Sequence, residues 1–78
     1  MPRFFFHVYD DIVAVDDEGV ELSTIERAKD EAIRGARALA CEEVLKGRLH
    51  LDHRIEVADE SGAVVEIVNF RDVVAVDP

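Results

Sequence analysis

The side chains of this sequence with chemical potential are few, and their spacing decides most of the case. One cysteine, Cys41, precedes two histidines, His50 and His53, in the pattern C-x8-H-x2-H. A structural zinc site needs four ligands at short paired spacings, and this pattern matches no common site and lacks a fourth ligand. No metal is expected there. The acidic stretch "DDIVAVDDEGVEL" invites a calcium loop. Aligning Gly19 with the invariant glycine of an EF-hand puts Ala14 and Ile25 where the first and last carboxylates belong, so the motif fails. Asp16, Asp17 and Glu18 read instead as a solvated turn. For nucleophilic catalysis the chain offers Ser23, Ser61 and Cys41 beside three histidines. Ser23 is accounted for as a helix cap and Ser61 as a turn residue. There is no phosphate-binding glycine loop, nucleophile elbow or paired-carboxylate motif. A one-helix domain this small also makes few clefts. No catalytic residue and no cofactor is expected, and the chain does not read as an enzyme.

Charge narrows the partners. The formal net charge is −9, which opposes non-specific binding to phosphate backbones. The one basic run, "KGRLHLDHR", holds Lys46, Arg48 and Arg54. With Arg27, Arg34 and Arg37 of the helix it defines the alternative function, a nucleic-acid or anion binder. Asp30, Glu31, Glu42 and Asp52 lie among these cations, so a solvated charged face is the simpler reading. No apolar run approaches the roughly 20 residues of a membrane-spanning helix. The acidic pair Asp10 and Asp11 arrives too soon for the apolar region of a signal peptide. A single cysteine forms no internal disulfide, which fits a reducing cytoplasm.

The elements that must position these residues come next. At 78 residues, 49% hydrophobic and 35% charged, the chain is one folded domain, 1–78, with a thin margin of buried surface. Arg3 to Tyr9 and Ile12 to Val15 read as strands, joined by a turn at Asp10 and Asp11. "DDEG" reads as a turn, with Gly19 able to take a positive φ at little cost. "STIE" is a capping-box pattern that starts a helix of about 23–46 with Ser23 as the cap. Ile25, Ala28, Ala32, Ile33, Ala36, Leu39 and Ala40 form its apolar stripe, on which Lys29 and Glu43 intrude. Asp30 and Arg34 are spaced to pair on the outer side, and Cys41 falls there too, exposed. Lys46 and Gly47 end the helix. Arg54 to Ala58 and Ala63 to Phe70 read as a hairpin around "DESG". The last segment, "FRDVVAVDP", fits a helical turn from Asn69 or Asp72, or an edge strand. The order strand, strand, helix, strand, strand gives an α+β two-layer sandwich, one long helix on an antiparallel sheet of about four strands.

"RFFFHVYDD" is then the odd stretch, because strand alternation puts aromatics on both faces. Phe4, Phe6 and Val8 point one way; Phe5, His7 and Tyr9 point the other. One helix covers one face. The other face is expected to carry Phe5, His7 and Tyr9 with Val68 and Phe70, ringed by Arg54, Glu56 and Glu66. Such a patch suits a homodimer or a small protein partner. The competing arrangement has "FRDVVAVDP" fold over this face within the monomer.

The opening "MPRFFFHV", the "DDEGVEL" before a capped helix, and "ADESGAVVEIVNFRDVV" together resemble a family of small bacterial proteins of unknown function. The resemblance covers nearly the whole chain. It implies a bacterial cytoplasmic protein and assigns no site residues. The strand order alone is similar to antitoxins of the HicB type, whose core binds a small toxin. Function is thus expected to be non-enzymatic binding or oligomerisation through the uncovered sheet face.

Overall fold

A computed structural model describes residues 1–78. β1 (Arg3–Tyr9) is followed by two short strands, β2 (Val13–Ala14) and β3 (Val20–Glu21), then α1 (Ile25–Leu45), β4 (Arg54–Ala58), β5 (Val64–Asn69) and a single turn of helix, α2 (Phe70–Val73). The fold is α+β: one long helix and one short one with a five-stranded antiparallel sheet. β1 is central. It pairs with β4 on one side, while β2 and β3 share its other side, at opposite ends. β5 is the far edge.

α1 starts one residue later than its sequence suggests. β3 keeps the backbone in the sheet as far as Leu22, whose amide donates to Pro2 O at 3.0 Å. The chain first turns at Thr24, and Thr24 Oγ1, not Ser23, accepts from the Arg27 amide. The third helical position is therefore Arg27, so Glu26 closes no reciprocal box. Lys46 is the C-cap residue itself and lies outside the last turn. On the outer face Arg34 pairs with Glu31 and leaves Asp30 alone.

The core forms where the helix's small residues meet the sheet. Ala28, Ala32, Ala36 and Ala40 are buried, one per turn, against Phe4, Ile55, Val57, Val68 and Phe70. Without long side chains between them, axis and sheet lie close, as the alanine stripe predicts. Ile25, at the stripe's start, is exposed instead. α1 lies mainly over β4 and β5, and of β1 only Phe4 is fully buried beneath it. That leaves Phe6 and Val8, on the helix side of β1, only half-buried. They line an open apolar groove of about 390 Å³ with Val20, Ala32, Gly35 and Leu39.

The hairpin corrects the expected composition of the opposite face. Arg54 opposes Asn69, Ile55 opposes Val68, and Glu56 opposes Ile67, with a bulge where Ala58 meets Val64. Paired residues share a face, so Val68 joins Ile55 under the helix and is buried. Phe70 begins α2 and is wholly buried in the same core. Both leave the candidate interface, and Glu66 moves to the helix side, 3.9 Å from Lys29. Ile67 and Asn69 take their places. The terminal segment also goes to the helix side, where Val73 and Val74 pack on the core and Val73 O accepts from Arg37 Nε.

Candidate functional site

The sheet face opposite α1 has no element of this chain over it. Phe5, His7 and Tyr9 lie there as expected, all half-buried. Their cross-strand partners on β4 are Ala58, Glu56 and Arg54. Arg54 spans two of these columns: its guanidinium carbon lies 4.2 Å from the centre of the Tyr9 ring, and its Nε donates to Glu56 Oε2 at 2.8 Å. A cation over an exposed aromatic ring adds roughly 0.5–1 kcal/mol. At the other end Arg3 bridges Glu21 at 3.1 Å. Val64 and Ile67 complete the surface, each about half exposed.

The outer edge of β1 between β2 and β3 is closed by one side chain. Asp16 Oδ2 accepts from the Phe6 amide, its Oδ1 accepts from the amides of Glu18 and Gly19, and its own amide donates to His7 Nδ1, each at 3.1 Å. Burial works to raise the Asp16 pKa, but the amides of Gly19, Phe6 and Glu18 and the His7 ring outweigh it and hold the carboxyl below its ordinary range. The acidic turn thus serves structure: it blocks an edge that would otherwise offer free amides to a partner. Gly19 is part of this closure. Its φ is +72°, and a Cβ there would lie 2.8 Å from Arg3 Cγ and 2.9 Å from Phe4 O.

A second constellation lies at the end of the sheet where α1 stops. Glu43, on the last turns of α1, divides its carboxylate between two rings. His53 Nδ1 lies 2.7 Å from Oε2, and His50 Nδ1 lies 3.2 Å from Oε1, which also accepts from the His50 amide at 2.8 Å. Burial would raise the Glu43 pKa; the His50 amide and the two imidazoles reverse that and lower it. The rings stack 4.4 Å apart, with planes 13° from parallel, and His53 meets the edge of Phe70. His53 is buried at 8% exposure, and its Nε2 faces Asp11 Oδ1 at 3.7 Å. Asp10, Lys46 and Arg48 form the rest of the cleft. Sequence spacing grouped the histidines with Cys41, which is exposed and stands outside the cluster. The usable signal was Glu43, a carboxylate on an apolar helical stripe, because a charge there needs a partner. Asp11 carried none, since topology alone brings the β1–β2 bend to the helix end.

Of the cations of the alternative function, Lys46 and Arg48 line one cleft together, that of the histidines. Arg54 belongs to the uncovered sheet face, and Arg34 and Arg37 to the helical layer, held by Glu31 and Val73 O. No helix is long and apolar enough to cross a membrane.

No curated protein and no solved structure matches the chain. One family model matches, over residues 3–71, from the start of β1 into α2. The protein belongs to that family, a domain of unknown function designated DUF6894.

Proposed function

We propose that this domain acts by association and not by catalysis, with a second copy of the chain packed on the uncovered sheet face to make a homodimer. The observation that carries this reading is Phe5 and Tyr9 side by side with His7, half-buried, on a face that no helix or further strand covers. Only the turn at Asp16–Gly19 and Arg54 stand at its margins. Two further features favour a second copy as the occupant. The outward charges of the strands are Arg3 and Arg54 against Glu21 and Glu56, a balanced set in a molecule of net charge −9, so copies repel less here than the net charge implies. A two-fold pairing also brings Arg54 of each copy toward Glu56 of the other. The molecule is thin as well, 42 × 23 × 16 Å, and exposes 5310 Å² where a compact monomer of 8.7 kDa would expose roughly 4,700 Å². The setting in this reading is a bacterial cytoplasm, where the lone Cys41 stays reduced.

Sedimentation of the parent and of a Phe5→Glu, Tyr9→Glu variant tests it. The parent is expected to be dimeric at high micromolar concentration, and the double variant monomeric with an unchanged far-ultraviolet circular dichroism spectrum. A parent that stays monomeric overturns the proposal. A dimer that survives both glutamates places the contact elsewhere, with the groove at Phe6 and Leu39 next to be tested. Added salt should leave the dimer intact, whereas nucleic-acid binding through Arg48 and Arg54 would weaken steeply with salt.

A further inference from the structure

The cluster at the end of α1 is built differently from a chance meeting of charges. A carboxylate only accepts hydrogen bonds, so the two contacts to Glu43 place the proton of each neutral imidazole on Nδ1. Nε2 is then the lone-pair nitrogen in both rings. A carboxylate behind the imidazole is the arrangement that orients histidines for metal binding and raises their basicity. The His53 ring is largely buried, but its Nε2 opens on the cleft, makes no hydrogen bond and lies 3.7 Å from Asp11 Oδ1. Asp11, His50 and His53 each offer one donor atom, and these atoms all lie within 4.8 Å of one another.

The geometry points to a binding site for one divalent transition ion of the zinc type, held by His50, His53 and Asp11, with Glu43 as the residue that positions both rings. Two nitrogens and one carboxylate oxygen suit such an ion; magnesium and calcium take oxygen donors throughout. Three protein ligands leave the remaining position to water. Bonds of about 2.1 Å require donor atoms about 3.4 Å apart, so the site closes as it fills. The stacked rings lie nearly parallel, and His50, the more exposed ring, must tilt to bring its Nε2 to the ion. Asp11 is free to follow, because it stands on the exposed bend between β1 and β2. An anion is the poorer occupant: Lys46 and Arg48 line the cleft, but Asp10, Asp11 and Glu43 line it too. The bound ion would tie the β1–β2 bend to the end of α1. The site lies apart from the uncovered sheet face and does not depend on the dimer.

Cobalt(II) titration of the tag-free, chelator-treated protein, followed by its visible d–d absorption, is the experiment. One cobalt ion per chain is expected, displaced by zinc. Asp11→Asn and His50→Gln should each weaken binding by about tenfold or more without lowering the metal-free melting temperature, and Cys41→Ser should change nothing. Glu43→Gln should weaken it by about 10- to 100-fold while leaving the stoichiometry at one. Asp11 is exposed, so its variant tests the site even if the buried Glu43 variant unfolds. Absence of cobalt absorption up to high micromolar metal overturns the inference. So does half an ion per chain, or affinity that is unchanged in both Asp11→Asn and His50→Gln.

Discussion

At the scale of single residues, the two clearest tests concern positions where neighbours of similar type behave differently. Thr24→Ala removes the only side-chain cap of α1 and should lower stability by about 1 kcal/mol, while Ser23→Ala should leave it near the parent value. Urea midpoints separate the two, and a larger loss at Ser23 would return the helix start to that residue. Residue type could not choose between them, because both are good caps; the choice is made by the distant Leu22–Pro2 hydrogen bond. Gly19 and Gly62 form a second such pair. Both have positive φ, but a Cβ at Gly62 meets nothing within 4 Å, whereas at Gly19 it strikes β1. Gly62→Ala should cost about 1 kcal/mol from its backbone alone, and Gly19→Ala roughly 2–3 kcal/mol by adding steric conflict. Equal midpoints for the two variants would contradict the tight closure at β1.

At the scale of elements, legibility followed periodicity. The alanine stripe repeats every turn, and its burial was readable from spacing alone. Ala36→Leu should be destabilising by about 1–3 kcal/mol, since Ala36 is fully buried between helix and sheet. Ala38→Leu, at the rim of the open groove, should be tolerated. Thermal melts of the two variants decide this, and equal melting temperatures would mean that α1 can shift on the sheet. The faces of β1 were readable in the same way, which is why Phe5, His7 and Tyr9 stand where they were expected. β5 was not. The bulge opposite Ala58 sets its register, and a register displaced by one residue exchanges the faces, which carried Val68 and Phe70 from the expected interface into the core. Strand alternation puts Phe70 on the same face as Val68, and there it begins α2, buried in the core.

At the scale of the whole molecule, the acidic charge has two opposing effects on stability. Protonating surface carboxylates relieves repulsion within a chain of net charge −9. Asp16 and Glu43 act the other way, because their folded pKa values lie below the ordinary carboxylate range. In acid the unfolded chain binds protons that the folded chain refuses. Their contribution is complete above about pH 5 and is lost as pH falls through the folded pKa values. The difference between parent and Asp16→Asn isolates the effect. The variant should be less stable at pH 7, and the gap should close below about pH 4. A gap that stays constant with pH would show that Asp16 acts through packing alone. Net charge was plain in the sequence; which carboxylates have partners depended on the β1 edge and the helix end meeting residues far along the chain.

The central position of β1 has a consequence for synthesis on the ribosome. Its long partner is β4, so Phe5 waits for Ala58 and Tyr9 for Arg54. At about 5–20 residues per second, the first strand lacks its long partner for several seconds while β4 is made, with only the short β2 and β3 beside it. Throughout that interval three consecutive phenylalanines, Phe4 to Phe6, stand outside any finished sheet. The segment most able to bind a chaperone is therefore made well before the strand that completes its sheet.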